Sequence, residues 1–122
     1  MSLDLHKYLH FASAVERINI RYRLTDDKLI KILQSILLAY TQGAPIQVLD
    51  VLLLRHIAST ATLHSSLKGL IALKLIKAEA CPKDARRKYL TPTKLGISWL
   101  EECTALLCSA HKTNLTLKNN KV

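Results

Sequence analysis

Two short runs with β-strand character interrupt a chain whose other segments have helical spacing. The runs span residues 75–80 and 87–92, and the residues between them include Pro82 and Asp84, which suit a turn. This arrangement predicts one antiparallel hairpin. Because 122 residues are one domain's worth of chain, we expect a single, mainly α-helical domain with a small β-hairpin.

Apolar residues recur at intervals of three and four in five segments, which predicts about five helices. In chain order the segments are residues 5–20, 25–42, 48–55, 59–73 and 94–109. The second, fourth and fifth helices have Thr25, Ser59 and Thr93 as predicted N-caps, because short hydroxyl side chains accept hydrogen bonds from the first-turn amides. Gly43, followed by a proline, ends the second helix, and a short extended piece at residues 46–47 comes next.

The third and fourth helices each carry leucines that we expect to face the core. These are Leu49, Leu52 and Leu53 in the third helix, and Leu63, Leu67 and Leu70 in the fourth. With the fourth helix turned this way, a wheel of about 100° per residue places Ala61, Ser65 and Lys68 outward and His64 on the flank. Gly69 costs about 1 kcal/mol relative to Ala inside a helix, so we expect another backbone to come close to it.

The basic residues are concentrated in one segment of the chain. There are 18 Lys and Arg against 9 Asp and Glu, a formal net charge of +9, and residues 55–94 contain nine of the basic residues against two acidic ones. This excess indicates an anionic partner, either nucleic acid or a membrane surface. A membrane surface requires large apolar anchors beside the charge, and no stretch approaches the roughly 18 apolar residues of a membrane span. We therefore expect nucleic acid and no membrane as the partner.

The remaining reactive residues predict neither an enzyme nor a metal or cofactor site. The sequence has no Gly-rich phosphate loop, paired catalytic carboxylates or nucleophile elbow. Cys103 and Cys108 are five residues apart, about 140° around a helix, and cannot share a metal ion. Only Cys81 has Lys and Arg neighbours that would lower the pKa of a thiol. The odd number of cysteines, with Asp4 and His6 where a signal peptide needs apolar residues, favours a cytoplasmic location.

The order helix, helix, short strand, helix, turn, helix, basic hairpin and helix is that of a winged helix-turn-helix. The motifs within it are a Ser- and Thr-rich helix at residues 59–70, Leu75-Ile76 at its exit, Asp84-Ala85-Arg86 in the hairpin, and Thr93-Lys94-Leu95-Gly96 at the last helix. Together, over residues 45–100, they resemble the MarR family of bacterial transcriptional regulators. Lys74 stands where that family usually has a Gly, which predicts a left-handed backbone at this residue.

The resemblance implies a homodimer that binds double-stranded DNA and regulates transcription. That a small-molecule effector of unknown identity tunes this binding is a hypothesis for which the sequence locates no site. By the same resemblance, residues 1–110 form one winged-helix domain. Its parts are N-terminal helices at 1–42, a DNA-binding core and wing at 45–92, and a closing, dimerising helix at 93–110. Residues 111–122 are rich in Lys, Asn and Thr and predict a flexible tail.

Side-chain chemistry assigns roles to the candidate DNA contacts. Phosphate contacts at the start of the fourth helix are predicted for Ser59, Thr60 and Thr62. Base contacts in the major groove are predicted for His64, Ser65 and Lys68, and Lys68 is equally suited to a phosphate contact. Contacts of the wing with the minor groove or backbone are predicted for Arg86, Arg87 and Lys88. Because side chains alternate along a strand, Arg87 and Lys88 are expected to face opposite sides, so at most one of them shares the DNA-facing side with Arg86. The resemblance implies that Asp84 orients Arg86 through a charge-assisted hydrogen bond.

Two other interpretations use the same basic surface. In the first, the winged helix is a protein-interaction module whose basic wing docks an acidic partner. In the second, the chain is a nucleic-acid-binding component of a plasmid or phage replication system. The first differs from transcriptional regulation in its partner, and the second differs only in the DNA target.

Overall fold

The computed structural model describes residues 5–84 and 86–120, with side chains described as far as Ser109. The elements in chain order are α1 His6–Arg21, α2 Asp27–Thr41, α3 Val48–Val51, α4 Thr60–Ala72, β1 Ile76–Ala80, β2 Lys88–Pro92 and α5 Lys94–Asn120. They belong to two compact units, unit 1 with Met1–Arg23 and Ser98–Val122, and unit 2 with Leu24–Ile97. The predicted mainly α-helical fold with one hairpin is confirmed. Of the N-terminal helices predicted at residues 1–42, α1 belongs to unit 1 and α2 to unit 2.

Unit 2 is built around α2, which packs against α4 and the hairpin. Its core includes Leu33, Ile36, Leu37, Val51, Leu63, Leu67, Leu70, Leu75, Ile76 and Leu90. β1 and β2 pair antiparallel, with Ile76 opposite Pro92. The predicted extended piece lies along β2, because the Leu90 amide donates to the Ile46 carbonyl at 2.9 Å and Gln47 forms a bridge with Tyr89.

Side-chain caps begin three of the helices. Ser59 and Thr93 each accept a hydrogen bond from the backbone amide three residues later, at 3.3 and 3.1 Å, so these two predicted N-caps are confirmed. The prediction of Thr25 as the cap of α2 is wrong. Asp26 has the extended backbone of an N-cap and accepts from the Lys28 amide at 2.9 Å, and its negative charge is also favourable at a helix N-terminus.

α3 is shorter than predicted and exposes two of its three predicted core leucines. The helix ends at Val51, which takes the buried position at 0% exposure, while Leu49 is 69% and Leu53 is 71% exposed. Leu52 is half-buried. The prediction that Leu49 and Leu53 face the core is wrong, because in an almost continuous apolar run the periodicity does not identify which face of a one-turn helix packs inward.

Three residues of unit 2 and its boundary have left-handed backbone. Gly43 has φ 80° after α2, and Lys74 has φ 61° after α4, so the predicted left-handed position of Lys74 is confirmed. The Thr93 hydroxyl donates a hydrogen bond to the Lys74 carbonyl, which holds this conformation. Arg23, with φ 63°, was not predicted.

The close backbone approach expected at Gly69 occurs at a different glycine. A Cβ on Gly69 would lie 3.7 Å from Leu29 Cδ2, an ordinary side-chain contact, so the expectation for Gly69 is wrong. A Cβ on Gly96 would lie 2.2 Å from the Leu75 carbonyl oxygen. Gly96 therefore lets the start of α5 approach the residue that precedes β1.

Unit 1 joins α1 to α5 through a small polar network. Trp99 is buried, and its Nε1 donates to Asn19 Oδ1 at 2.8 Å. The Glu102 carboxylate accepts hydrogen bonds from the Tyr22 hydroxyl and from the Arg21 guanidinium. Both hydrogen bonds lower the pKa of Glu102, and the bond from Tyr22 has the larger effect. The same bond raises the pKa of Tyr22.

The last helix is longer than predicted. α5 continues to Asn120, whereas the sequence pattern predicts an end near Ser109. That prediction is wrong, because no Gly or Pro follows Gly96 to break the helix and the residues after Ser109 are weak rather than incompatible helix formers. Residues 121 and 122 of the predicted tail lie outside the described residues. Among the helices of residues 5–84 and 86–120, none combines the length and the apolar character needed to cross a bilayer.

Candidate nucleic-acid interface

α4 buries a leucine stripe and exposes a small polar face. Leu63, Leu67 and Leu70 are at most 4% exposed, which confirms the predicted inward face. The exposed positions on the outward side include Ala61, His64, Ser65 and Lys68. α4 contains no acidic residue and one lysine. A face of this size and charge can enter a major groove about 12 Å wide without repelling its phosphates.

Hydroxyl groups cluster at the N-terminus of α4. The Ser59 hydroxyl accepts from the Thr62 amide and donates to Thr62 Oγ1 at 3.1 Å. Thr62 is half-buried and keeps its own hydroxyl proton for a further acceptor. Ser59 and Thr60 are exposed. Free amides and hydroxyls at a helix N-terminus are suited to phosphate oxygens.

Asp84 organises the turn of the hairpin. Its Oδ1 accepts from the Arg86 amide at 3.0 Å and lies 3.5 Å from Arg86 Nε. Its Oδ2 lies 3.8 Å from Arg87 Nε. The side chain of Arg86 is nevertheless 94% exposed. One carboxylate therefore restrains two guanidinium groups without covering them.

The strands place the neighbouring cations on opposite sides. In β2 the buried residues are Leu90 and Pro92, so Lys88 has the parity of the core face and Arg87 that of the opposite face, as predicted. Both side chains extend beyond the core and are exposed. On β1, Lys77 pairs with Glu79 at 2.9 Å. The net positive charge of the hairpin is therefore at its turn.

The hairpin turn and α3 form the two sides of a cleft of about 230 Å³. Its lining residues are Gln47, Val48, Leu49, Arg86, Arg87 and Lys88. The bridge between Gln47 and Tyr89 and the Leu90–Ile46 hydrogen bond hold α3 beside β2. The cleft therefore combines the exposed Leu49 with the three cations of the turn.

The cysteines have different local environments. The pKa of Cys81 is lowered, but chiefly by hydrogen bonds with the backbone at Lys83 and Asp84, and the charge of Asp84 acts in the opposite direction. The predicted cause, the surrounding Lys and Arg, is therefore wrong. Burial raises the pKa of Cys103. Among the residues that the structure describes, no group of three or more His, Cys, Asp or Glu could hold a metal ion.

Comparison of the folded chain with solved structures identifies its architecture. Staphylococcus aureus MepR in complex with DNA superposes with a TM-score of 0.74 at 16% identity, over 96% of this chain and 87% of that one. The regulator Tm0710 from Thermotoga maritima gives 0.63 at 17% identity, over 92% and 72% of the two chains. Staphylococcus aureus MarR with salicylate and kanamycin gives 0.58 at 21% identity, over 93% and 71%.

The chain has the winged-helix fold. All three structures are winged-helix regulators of the MarR type, so the resemblance predicted from residues 45–100 is confirmed at the level of the fold. In this fold, α3 and α4 form the helix-turn-helix and the β1–β2 hairpin is the wing. No protein-family model and no curated protein sequence matches the chain.

The winged-helix geometry positions most of the predicted contact residues as expected. Ser59, Thr60, His64, Ser65 and Lys68 are exposed on α4, and Thr62 is half-buried. Arg86, Arg87 and Lys88 are exposed at the wing. Their contacts with DNA stay predictions. The positions of Gln47 and Leu49 beside the wing do not follow from the sequence, because the bridge between Gln47 and Tyr89 of β2 places them there.

Proposed function

We propose that this chain is a sequence-specific, double-stranded-DNA-binding transcriptional regulator. The observation that carries the proposal is the pairing, within unit 2, of α4, which contains no acidic residue and is the proposed recognition helix, with a wing whose arginines are exposed. The likeness to MepR, solved in complex with DNA, supports it. The proposed partner is the anionic duplex that the +9 charge also indicates.

In this proposal, α4 enters the major groove. Ser59, Thr60 and Thr62 bind phosphate oxygens, which positions the helix without reading sequence. His64, Ser65 and Lys68 contact base edges, where Lys and His donate to guanine O6 or N7. Arg86 contacts the minor groove or the backbone together with whichever of Arg87 and Lys88 shares its side of the wing. Asp84 limits the conformations of Arg86 and Arg87.

We further propose that the chain acts as a homodimer through unit 1. Near the start of α1, Leu5, Tyr8 and Leu9 are 61–75% exposed, and Leu107 on α5 is 60% exposed. A groove of about 770 Å³ between these helices is lined mainly by apolar side chains. A second copy would cover this surface. A two-fold dimer reads a pseudo-palindrome whose half-sites are about one helical turn apart.

The proposed activity is binding rather than catalysis, in the cytoplasm, and requires no cofactor. MepR is solved with ethidium bromide and S. aureus MarR with salicylate and kanamycin. By extension, we propose that a small molecule modulates the DNA binding of this chain.

The test is selection of bound duplexes from a random pool, followed by fluorescence anisotropy at several salt concentrations. We expect a two-fold-symmetric consensus and an affinity that falls steeply with salt. Lys68→Ala should weaken binding by about 1–3 kcal/mol if Lys68 contacts a base, with relaxed specificity at one position. Arg86→Ala should weaken binding to all sequences and lower the salt slope by about 1.

Lys28→Ala is the matched control, because Lys28 is an exposed lysine of unit 2 outside α4 and the wing. Its affinity for the selected duplex should stay near that of the wild type. Absence of duplex binding at low salt, or an equal loss in the Lys28 and Lys68 variants, would overturn the proposal.

A further inference from the structure

We propose that the cleft between α3 and the wing docks an acidic protein segment that carries large apolar side chains. The segment would belong to a partner protein and would occupy the surface formed by Leu49, Leu53, Arg86, Arg87 and Lys88, here called the α3–wing surface. Because this surface includes the wing cations, the partner would also compete with DNA, and only this second part rests on the proposed function.

The apolar half of the α3–wing surface consists of Leu49 and Leu53, which the rest of unit 2 leaves largely exposed. Leu49 and Leu53 are 69% and 71% exposed, whereas Leu63, Leu67 and Leu70 of the same helix-turn-helix are buried. Leu53 lies two residues beyond the end of α3, and the hydrogen bonds from the Leu52 amide to Val48 O and from the Leu53 amide to Asp50 O continue the turn. The four-residue separation of Leu49 and Leu53 suits two apolar side chains of one docked segment. Large apolar side chains exposed as a group mark interaction sites on soluble proteins.

The charged half specifies the chemistry of the occupant. Arg86, Arg87 and Lys88 line the cleft together with Leu49. Asp84 is the carboxylate that contacts two of them, at 3.5 and 3.8 Å, and one carboxylate cannot neutralise three cations. A partner therefore gains by placing Asp or Glu against the wing, where Arg forms bidentate bonds with carboxylates.

DNA satisfies only part of this surface. Phosphate oxygens can bind the wing cations, but they offer nothing apolar to Leu49 and Leu53. An acidic segment with apolar anchors complements both halves, so the observations favour a protein over DNA as the occupant of the complete surface. The shared cations then make the two partners mutually exclusive.

The experiment begins with selection of random peptides on the immobilised full chain. We expect the enriched peptides to combine Asp or Glu with two large apolar residues. A labelled copy of the most enriched peptide is then titrated by fluorescence anisotropy with the wild type and with the double variant Leu49→Ser, Leu53→Ser. We expect the variant to bind at least about tenfold more weakly, because apolar anchors dominate such interfaces. Circular dichroism should show unchanged folding, since both side chains are exposed.

Leu38→Ser is the matched control, because Leu38 is a 59% exposed leucine of α2 outside the α3–wing surface. It should bind the peptide as the wild type does. Enriched peptides without acidic residues, or equal binding by the double variant, would overturn the proposal. Loss of duplex affinity or of self-association in the double variant would also overturn it, since the leucines would then serve DNA or a second copy.

Competition is measured separately with the duplex selected above. We expect added duplex to displace the labelled peptide, and simultaneous binding of both would refute the competition. If the wild type bound no duplex, the proposed function would fail, while the peptide arm would still decide whether the surface docks an acidic segment.

Discussion

The two glycines in α4 and α5 should respond in opposite ways to the same substitution, Gly to Ala. At Gly96 the new Cβ would lie 2.2 Å from the Leu75 carbonyl oxygen and 3.2 Å from the carbonyl carbon. Both are backbone atoms, so no side chain can rotate to relieve the clash. α5 and the segment before β1 must separate by roughly 1.5 Å to restore an ordinary contact.

That separation disturbs the hydrogen bonds that join the same two segments. The Thr93 amide donates to Leu75 O at 3.1 Å, and the Thr93 hydroxyl donates to the Lys74 carbonyl. Weakening them costs up to about 0.5–1.5 kcal/mol each, and overpacking costs a further 1–3 kcal/mol. The better helix propensity of Ala returns at most about 1 kcal/mol. We expect Gly96→Ala to lower the free energy of unfolding by about 2–4 kcal/mol.

Gly69→Ala is the matched control. Its Cβ would meet only Leu29 Cδ2 at 3.7 Å, so the gain in helix propensity, about 0.5–1 kcal/mol, remains. The stability of both variants is measured by urea and thermal unfolding, followed by circular dichroism. All samples have the same protein concentration, because the stability of a dimer depends on concentration. Gly96→Ala should lower Tm by roughly 10 °C and Gly69→Ala should raise it by a few degrees. A Gly96→Ala variant as stable as the wild type would refute the steric reasoning.

Three further predictions concern single side chains. Asn19→Ala leaves the buried Trp99 indole N–H without its acceptor, so it should lower the free energy of unfolding by about 1–3 kcal/mol and shift the emission of the chain's single tryptophan; an unchanged urea midpoint would contradict this. The hydrogen bond from Tyr22 lowers the pKa of Glu102 in the folded chain. The stability that this ionised carboxylate contributes is therefore present above the ordinary glutamate pKa of 4.5 and is lost as the pH falls below that value. The Glu102→Gln variant should show a smaller decline in Tm over the same pH range, and parallel Tm curves for the variant and the wild type would contradict this. Lys74→Gly relieves a left-handed backbone and should raise stability by about 1 kcal/mol, which a lower Tm would disprove.

Local sequence signals predicted the elements that local interactions build. The caps Ser59 and Thr93 bond to amides three residues away, so a short window of sequence contains both partners. The leucine stripe of α4 is readily identified, because Leu63, Leu67 and Leu70 share one side of the helix and His64, Ser65 and Lys68 lie away from it. The hairpin was predicted within one residue of each strand's start, since its turn residues and its two runs are adjacent in the chain.

The parts of the candidate DNA interface that depend on neighbouring residues were also predictable from the sequence. The outward face of α4 follows from helical phase, and Asp84 lies close in sequence to the arginines that it contacts. Its contact with Arg87 as well as Arg86 depends on the turn conformation, which the residue types alone do not specify. The lowered pKa of Cys81 likewise comes from turn amides rather than from the basic side chains visible in the sequence.

The sequence by itself therefore determined the helices, the hairpin and the location of the excess charge, because helical phase, capping and charge density act over a few residues. The tertiary structure decided which side of α3 is buried, which glycine meets another backbone and which residues share the cleft beside the wing. Each of these depends on segments that are distant in sequence, such as Gln47 and Tyr89 or Leu75 and Gly96. Their contacts form only when the core of unit 2 brings those segments together, so a local sequence pattern does not predict them.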